Sequence, residues 1–432
     1  MLEVVGSSLL GLLWEIFGNT PKQQTQLESI AWHNAAIFEL PPEESASVVQ
    51  DIVDNYLQNL SQEIGSDRQS VWLQSDWLEL ADRNGEIPVA AASLTKIATT
   101  LASIGKLGVD RLFITQIYHT GTIEDGILKG DLIVEGSRDP FFVWEEAIAL
   151  GNTLNRAGIR EITGNVLVND EFYMNYTSDP TVAGKLLKQG LDSSLWSSEI
   201  RQQFRTLPLN TPRPQLSIAG EAKVIKNIPA TARLLVLHQS LPLVDILRQM
   251  NIYSNNKMAQ MLADIVGGAS VVADYGREVT GVTASEIQLI NGSGLGEANR
   301  ISPRAATKML MAIERLLQPS DLEITDIFPV ASRDRVGTME NRNLPPGVAI
   351  KTGTLDRVSA LAGVIPITEE RRVWFTVINS GWQIQQFRQQ QDELLQELAK
   401  YWHLEPLLEQ DAMKFQHRAY LGNPERNRIV EN

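Results

Sequence analysis

The sequence predicts an α+β fold, an antiparallel sheet flanked by helices that carries a large, mainly β insertion. Three observations predict it. The run VSALAGVIPI, the charged turn Glu369-Glu370-Arg371 and the run RVWFTVIN read as a hairpin of two apolar strands. Apolar residues recur at helical spacing near both ends of the body. Leu94, Ile97, Ala98, Leu101 and Ile104 share one face, and Ile384, Phe387, Leu394, Leu395, Leu398 and Tyr401 share another. From Leu112 the period shortens to that of strands, and strand-like runs continue to about residue 238.

Size and composition bound the possibilities. A chain of 432 residues exceeds one ordinary domain, so two or three folding units are expected. Hydrophobic residues make up 43% and charged residues 21%, which allows a sizeable packed core. The formal net charge is -14, so the chain lacks the basic footprint of a nucleic-acid binder. Cysteine is absent, which removes disulfides, thiol catalysis and Cys-ligated zinc together. That absence does not fix the compartment, because a large exported domain needs no disulfide once its core is big enough.

The elements follow in order. Residues 4–17 are mostly apolar, about the length of the core of a signal peptide. Glu3 and Glu15 interrupt the pattern, the first basic residue is Lys22, and the run is too short to span a membrane. Leu2, Val5, Leu9, Leu12 and Ile16 fall near helical spacing, so a degenerate export signal and a packed helix both stay open for residues 1–25. Residues 46–63 read as a helix and 69–80 as extended chain, with a turn at Asn84-Gly85. The helix through Ser93 is expected to stop at Gly105 and Gly108. Strands flank the turn at Glu124-Asp125-Gly126, a helix covers about 143–157, and ITGNVLVND reads as a strand. The Pro-rich PLNTPRPQ and then IPATARLLVL read as linkers or further strands. Residues 242–267 look helical, with a polar centre at Ser254. The expected division is a catalytic body in two pieces, 26–110 and 239–405, an insertion over 111–238, and a peripheral polar tail over 406–432.

Three short strings can carry chemistry: Ser93-Leu94-Thr95-Lys96, Ser254-Asn255-Asn256 and Lys351-Thr352-Gly353-Thr354. This is the S-x-x-K, S-x-N and K-T-G set of serine acyl-transfer enzymes. Ser and Lys three apart on a helix share a face, so the amine can reach the hydroxyl and activate it. The first turn of a helix adds unpaired N–H groups and a positive dipole end, which favour an oxyanion. The pattern S-x-x-K occurs three times, at Ser93/Lys96, Ser103/Lys106 and Ser254/Lys257. Ser103 sits at the wrong end of the helix for an oxyanion, and Ser254 belongs to the second string. Ser93 therefore stands out as nucleophile, with the small Ala90-Ala91-Ala92 approach before it. K-T-G occurs once, on or just before a strand, where Lys351 supplies positive charge and Thr352 with the adjoining backbone can bind a carboxylate. The five histidines form no metal-binding pattern, no G-x-S-x-G elbow or phosphate-binding glycine string occurs, and no cofactor or metal is expected.

With these strings in order, the chain resembles the D-alanyl-D-alanine carboxypeptidase/endopeptidases of the class C low-molecular-mass penicillin-binding proteins. The likeness extends to Asn291-Gly292-Ser293-Gly294-Leu295 with Asn299-Arg300-Ile301-Ser302-Pro303, to Phe328-Pro329-Val330-Ala331, and to Gly337-Thr338-Met339. Gly130-Asp131-Leu132, Gly136 through Pro140 and Thr163-Gly164-Asn165-Val166 resemble that family's inserted domain, which also accounts for the long gap between Ser93 and Ser254. The resemblance implies a β-lactamase/D,D-peptidase-like fold and a D,D-carboxypeptidase, with D,D-endopeptidase activity as its extension. Its partners would be peptidoglycan stem peptides and, as covalent inhibitors, β-lactams; its place would be the periplasm or another extracytoplasmic space.

By position, Ser93 would form the acyl-enzyme and Lys96 would be its base. Ser254 would relay a proton to the leaving nitrogen, Asn256 would orient Lys96 and the substrate amide, and Lys351 would set the field around Ser254. Thr352 would hold the terminal carboxylate, Gly353 completes that binding string, and the N–H groups of Ser93 and Thr354 would form the oxyanion hole. Two positions depart from the family: Asn255 and Asn291 stand where Asp is usual, which removes a charge from each. A β-lactamase, which needs a group to activate water for rapid deacylation, and an idle peptidoglycan-binding or scaffolding protein are the alternative readings.

Overall fold

The computed structural model describes residues 43–64, 69–368, 371–404 and 420–430. The apolar segment 1–25, Glu369 and Glu370 lie outside the described residues. The chain opens with helix α1 (Glu43–Ile64), strands β1 (Gln69–Gln74), β2 (Glu79–Arg83) and β3 (Val89–Ala90), and helix α2 (Thr95–Leu107). The middle of the chain adds β4 (Ile114–His119), β5 (Thr122–Glu124), β6 (Ile127–Lys129), β7 (Leu132–Glu135), α3 (Trp144–Arg156), β8 (Glu161–Ile162) and β9 (Val166–Val168). It continues with α4 (Pro180–Leu191), α5 (Ser198–Phe204), β10 (Ser217–Ile218), β11 (Ala222–Val224) and β12 (Arg233–Gln239). The final part holds α6 (Leu243–Ile252), α7 (Asn256–Ile265), α8 (Ala269–Thr280), β13 (Ile287–Gln288), β14 (Arg300–Ile301) and α9 (Pro303–Leu317). It ends with β15 (Ala349–Leu355), β16 (Val358–Pro366), β17 (Arg372–Ser380), α10 (Ile384–Tyr401) and β18 (Asn427–Ile429).

One core is built on a five-stranded antiparallel sheet in the order β15-β16-β17-β1-β2. The hairpin read from the sequence is its centre, with Val358 opposite Ser380 and Pro366 opposite Arg372. Strand β16 is buried at every position except its last, which explains an apolar run without polar alternation. Ala360, Ala362 and Val364 face a core shared with Ile97 and Leu101 of α2 and Met309 and Ile313 of α9. Helix α10 packs on β16, and its Gln391 Nε2 donates to the Ser359 carbonyl at 3.1 Å.

Helix α2 is buried from Thr95 through Ile104, on every face rather than on one apolar stripe. Two of its buried polar residues are tied down: Thr99 Oγ1 donates to the Gly292 carbonyl at 2.7 Å, and Asn251 Nδ2 donates to Thr100 Oγ1 at 3.2 Å. Gly105 does not stop this helix; Gly108, with φ of 81°, does. Gly105 serves packing instead, since a Cβ there would lie 1.8 Å from the Tyr275 hydroxyl.

A second core draws its apolar residues from Ile117 to Val236. Its residues come from a six-stranded mixed sheet, β11-β9-β7-β4-β12-β18, a four-stranded one, β10-β8-β6-β5, and helices α3, α4 and α5. The predicted strand ITGNVLVND breaks into β8 and β9, which belong to different sheets. Gly164 makes the crossing, where a Cβ would come within 2.4 Å of the Gly130 carbonyl oxygen. The middle region holds more helix than expected, because α4 and α5 occupy residues to which the sequence reading assigned no helix. Both carry start signals: Asp179 caps α4 with Pro180 in its first turn, and the Ser197 side chain caps α5.

Of the tail expected over 406–432, residues 406–419, 431 and 432 lie outside the described residues. Residues 420–430 dock on the second core, with β18 pairing antiparallel to β12. Arg426 pairs with the buried Glu146 carboxylate, and the Gly422 N–H donates to the same carboxylate at 3.1 Å. A buried carboxylate needs such partners, which a reading of tail composition does not reveal.

Candidate active site

Ser93 lies in a tight turn of 3-10 helix, Ala92–Leu94, that leads straight into α2. Ala92 has φ of 48°, an unusual conformation for a residue with a Cβ. The surroundings hold it there. The Ala91 N–H donates to the Asn299 carbonyl at 2.9 Å, and Gly294 approaches so closely that a Cβ on it would lie 1.7 Å from the Ala92 oxygen. The hydroxyl of Ser93 thus sits at the N-terminal, positive end of a buried helix.

Lys96, one turn on, is fully buried. Its Nζ donates to Ser93 Oγ at 2.9 Å, Asn256 Oδ1 at 2.7 Å and the Ser293 carbonyl at 2.8 Å. Burial lowers its pKa from 10.5 to about 7. The three acceptors match the three protons of an ammonium. On loss of one proton, Asn256 and the Ser293 carbonyl keep two N–H donors and the lone pair is left for the Ser93 hydroxyl.

The stretch 242–267 is not one helix. It breaks at Tyr253–Asn255, where Ser254 takes φ of 50°. Asn255 starts α7 by accepting from the N–H groups of Lys257 at 2.9 Å and Met258 at 3.1 Å. An N-cap accepts hydrogen bonds whether or not it is charged, so Asn serves here as Asp would. The break turns Ser254 toward Lys351, and Asn256 toward Lys96.

Lys351 lies on β15, also fully buried, and its Nζ donates to Ser254 Oγ at 3.1 Å and to the Thr352 carbonyl at 2.9 Å. Burial first, and then the neighbouring Lys96, push its pKa well below 10.5. β15 is the edge of its sheet, and the Ile350 N–H points outward to the Pro329 carbonyl at 2.9 Å. Backbone directions alternate along an antiparallel strand, so the N–H groups of Thr352 and Thr354 face the same open edge. Gly353 lets that edge pass close to the nucleophile turn: a Cβ would lie 3.1 Å from the Ala91 oxygen, the Ala92 Cβ and the Ser93 nitrogen.

The structure therefore brings Ser93, Lys96 and Asn256 into one hydrogen-bonded group and Ser254 and Lys351 into a second, near enough for Lys96 to act electrostatically on Lys351, beside the edge carrying Thr352, Gly353 and Thr354. Ser103 lies apart, buried in α2 without a hydrogen-bond partner among the described residues, and Lys106 stacks over the Tyr275 ring. Three further groups support the site; two of them, the Ser293 carbonyl and Arg388, were not singled out from the sequence, and the third, Asn291, was named there only as part of a family string. The Ser293 carbonyl holds Lys96, as described. Asn291 Oδ1 holds that loop by accepting from the N–H of Ser293 at 3.1 Å and of Gly294 at 2.8 Å. Arg388 of α10 donates to Thr354 Oγ1 at 2.8 Å. The Asn291 loop carried a signal in its Asn-Gly-Ser-Gly string; a backbone carbonyl and an arginine distant in sequence carried none.

A cavity of about 320 Å³ opens beside the Ser254 turn. Tyr253 and Asn255 line one side, and Glu145, Tyr176 and Glu199 line the other. Burial pushes Glu145 up to about 7. Among the described residues, no group of three or more His, Asp or Glu side chains is arranged to hold a metal ion.

Comparison with known proteins gives a consistent picture. The profile of the D-Ala-D-Ala carboxypeptidase 3 (S13) family matches residues 51–186 and 215–401. Carboxypeptidase DacB of Mycolicibacterium smegmatis is 25% identical over 346 residues, covering 70% of this chain and 74% of the relative. D-alanyl-D-alanine carboxypeptidase DacB of Haemophilus influenzae is 24% identical over 402 residues, covering 70% of this chain and 83% of the relative. Among solved structures, the penicillin G-acylated predatory endopeptidase Bd3459 of Bdellovibrio bacteriovorus, in complex with its immunity protein Bd3460, superposes with a TM-score of 0.66 at 21% identity. It covers 78% of this chain and 92% of that one. Penicillin binding protein 4 of Haemophilus influenzae gives 0.59 at 19% identity, over 79% of this chain and 99% of that one. These structures share the predicted D,D-peptidase-like α+β fold.

Proposed function

The chain belongs to the D-Ala-D-Ala carboxypeptidase 3 (S13) family, and from that premise we propose that Ser93 is the nucleophile of its serine D,D-carboxypeptidase reaction. The observation that carries this assignment is the 2.9 Å contact between Ser93 Oγ and the buried Lys96 amine, whose pKa is lowered to about 7. Neutral Lys96 takes the hydroxyl proton as Ser93 Oγ bonds to the carbonyl carbon of the penultimate D-Ala. The resulting oxyanion is held by the N–H groups of Ser93 and Thr354. The C–N bond then breaks, and the leaving nitrogen receives a proton through the Ser254 hydroxyl, which Lys351 holds in place. Asn256 keeps Lys96 aimed at Ser93 throughout. Water cleaves the Ser93 ester and releases the shortened peptide acid. The carboxylate of the leaving residue lies against the Thr352 hydroxyl.

The same chemistry applies to a cross-link whose leaving residue also carries a carboxylate, so D,D-endopeptidase activity follows from the same site. Penicillins acylate Ser93 by the same attack on their strained amide. The substrate, peptidoglycan, sets the place of action outside the cytoplasm, in the periplasm. We take residues 111–238 as an inserted unit, supported by their separate apolar core.

The test is labelling. A fluorescent penicillin is expected to modify the wild type and Ser103→Ala but not Ser93→Ala, with the adduct assigned to Ser93 by peptide mass. Labelling that persists in Ser93→Ala rejects the assignment. Incubation with defined muropeptides should release D-Ala, seen by mass.

A further inference from the structure

Residues 289–299, between β13 and β14, form no regular element, yet they carry the Ser293 carbonyl that holds Lys96. Such a connection has no ladder of its own to fix where a carbonyl sits, so other groups must do it. Asn299 does so from the end of the loop, and it is fully buried. Its Oδ1 accepts from the N–H groups of Ile290 at 3.0 Å and Asn291 at 3.2 Å. Its Nδ2 donates to the carbonyls of Leu295 at 3.1 Å and Gly296 at 3.3 Å. One amide thus uses both lone pairs and both protons on the two ends of a single loop, with Ser293 between them.

The main chain of the same residue reaches the nucleophile turn. Its carbonyl accepts from the Ala91 N–H at 2.9 Å, two residues before Ser93. β14 extends that contact by pairing antiparallel with β3, Arg300 opposite Ala90 and Ile301 opposite Val89. Loop and turn also touch directly, since a Cβ on Gly294 would lie 1.7 Å from the Ala92 oxygen. On one side Thr99 of α2 donates to the Gly292 carbonyl at 2.7 Å; on the other a Cβ on Gly292 would meet the Ala263 Cβ of α7 at 2.3 Å. The loop is therefore wedged between α2 and α7 with its Ser293 carbonyl on the buried Lys96 amine.

We propose that Asn299 is a positioning residue for acylation: it locks the loop that supplies the Ser293 carbonyl to the turn that supplies Ser93, and so holds base and nucleophile in one frame. It acts through Ser293 and Ala91, not by contact with the reacting atoms. The role needs an amide of this length, because a carboxylate has the lone pairs without the protons and a hydroxyl serves only one end of the loop. The proposal rests on Ser93 being the nucleophile and Lys96 its base, and it gives a task to a residue outside all three motif strings.

The experiment follows acylation of the full chain by a fluorescent penicillin across pH in wild type, Asn299→Ala and Asn299→Ser, each checked by thermal melting. The acylation rate constant at saturating penicillin and the half-saturating concentration are read separately. Displacing the Lys96 acceptor is expected to lower the rate constant at neutral pH about 10- to 100-fold in Asn299→Ala, with half-saturation changed less than about threefold. A loosened loop also admits water to Lys96. Burial is what lowers its pKa, so the pH midpoint of the rate is expected to rise from about 7 by about one pH unit. Lys351 of β15, the cation coupled to Lys96, is the same in every variant. Asn299→Ser should lie between wild type and Asn299→Ala. The control is Thr307→Ala, which removes the buried 2.8 Å contact between the Thr307 and Thr376 hydroxyls and lowers stability without touching the loop. A lower melting temperature with rate constant and midpoint unmoved in the Asn299 variants overturns the proposal. So does the same rate loss and midpoint shift in Thr307→Ala, which would make the effect one of general destabilisation. Should Asn299→Ala fail to fold, Asn299→Ser carries the comparison, and an unmoved midpoint there overturns the lock. Wild-type protein that takes no label at Ser93, or acylates with a flat pH profile, overturns the reading of nucleophile and base and this proposal with it. A wild type with the expected profile whose variants keep it overturns the role of Asn299 alone.

Discussion

Lys96 is an amine that burial makes a usable base while three acceptors keep it aimed. With its pKa lowered to about 7, its neutral fraction grows as pH rises through that value. The acylation rate of Ser93 by penicillin is therefore expected to climb about tenfold per pH unit below 7 and to level off above it. Stopped-flow acylation from pH 5.5 to 8.5 checks this, and a flat profile would remove Lys96 from the role of base. The same shift has a stability consequence. Between about 7 and 10.5 the unfolded chain keeps a proton on this lysine that the folded chain releases, so its contribution destabilises the fold below that window and fades as pH rises through it. The two departures from the family pattern also resolve at this scale. Asn255 and Asn291 each accept from backbone N–H groups, a task that needs a lone pair rather than a charge.

Among the elements, α2 shows how far tertiary packing can override a local signal. Its apolar face was legible from Leu94 to Ile104, and its start at the nucleophile followed from the motif. Its end was not, because the glycine that would stop an isolated helix accommodates Tyr275 from α8. Gly105→Ala should therefore destabilise the protein by about 1–3 kcal/mol despite the better helix propensity of Ala. In a Tyr275→Ala background the same change should be neutral or stabilising, as urea denaturation of the four variants would read. Equal effects in both backgrounds would mean that the ring is not what Gly105 makes room for. The break between α6 and α7 is the converse case. Residues 242–267 read as helical with a polar centre at Ser254, yet the chain turns at Ser254 because Asn255 caps a new helix.

At the scale of the whole molecule, the second core is closed by the end of the chain. Arg426 reaches the Glu146 carboxylate, Asn427 Oδ1 meets His238 Nδ1 at 3.0 Å, and Leu421 lines the cavity beside the Ser254 turn. Removing one partner of a buried pair leaves the other charge uncompensated. Arg426→Ala is expected to cost about 3–5 kcal/mol, with a lower thermal midpoint, and Glu146→Gln with Arg426→Met should recover most of it. An unchanged midpoint in Arg426→Ala would show that the chain end contributes little to closing this core.

The amino-acid sequence alone determined the α+β class, the central hairpin and the identity of the reactive strings. Apolar periodicity and short motifs are local patterns, and they survive without knowledge of the fold. Only the tertiary structure decided what those strings touch. Lys96 gains its lowered pKa from burial on all sides, and its third acceptor is a carbonyl 197 positions away in sequence. Ser254 meets Lys351 only because a cap breaks a helix, and Arg388 reaches Thr354 only because α10 packs on the sheet. Distances between remote residues depend on how the layers pack, and no pattern within one segment encodes that.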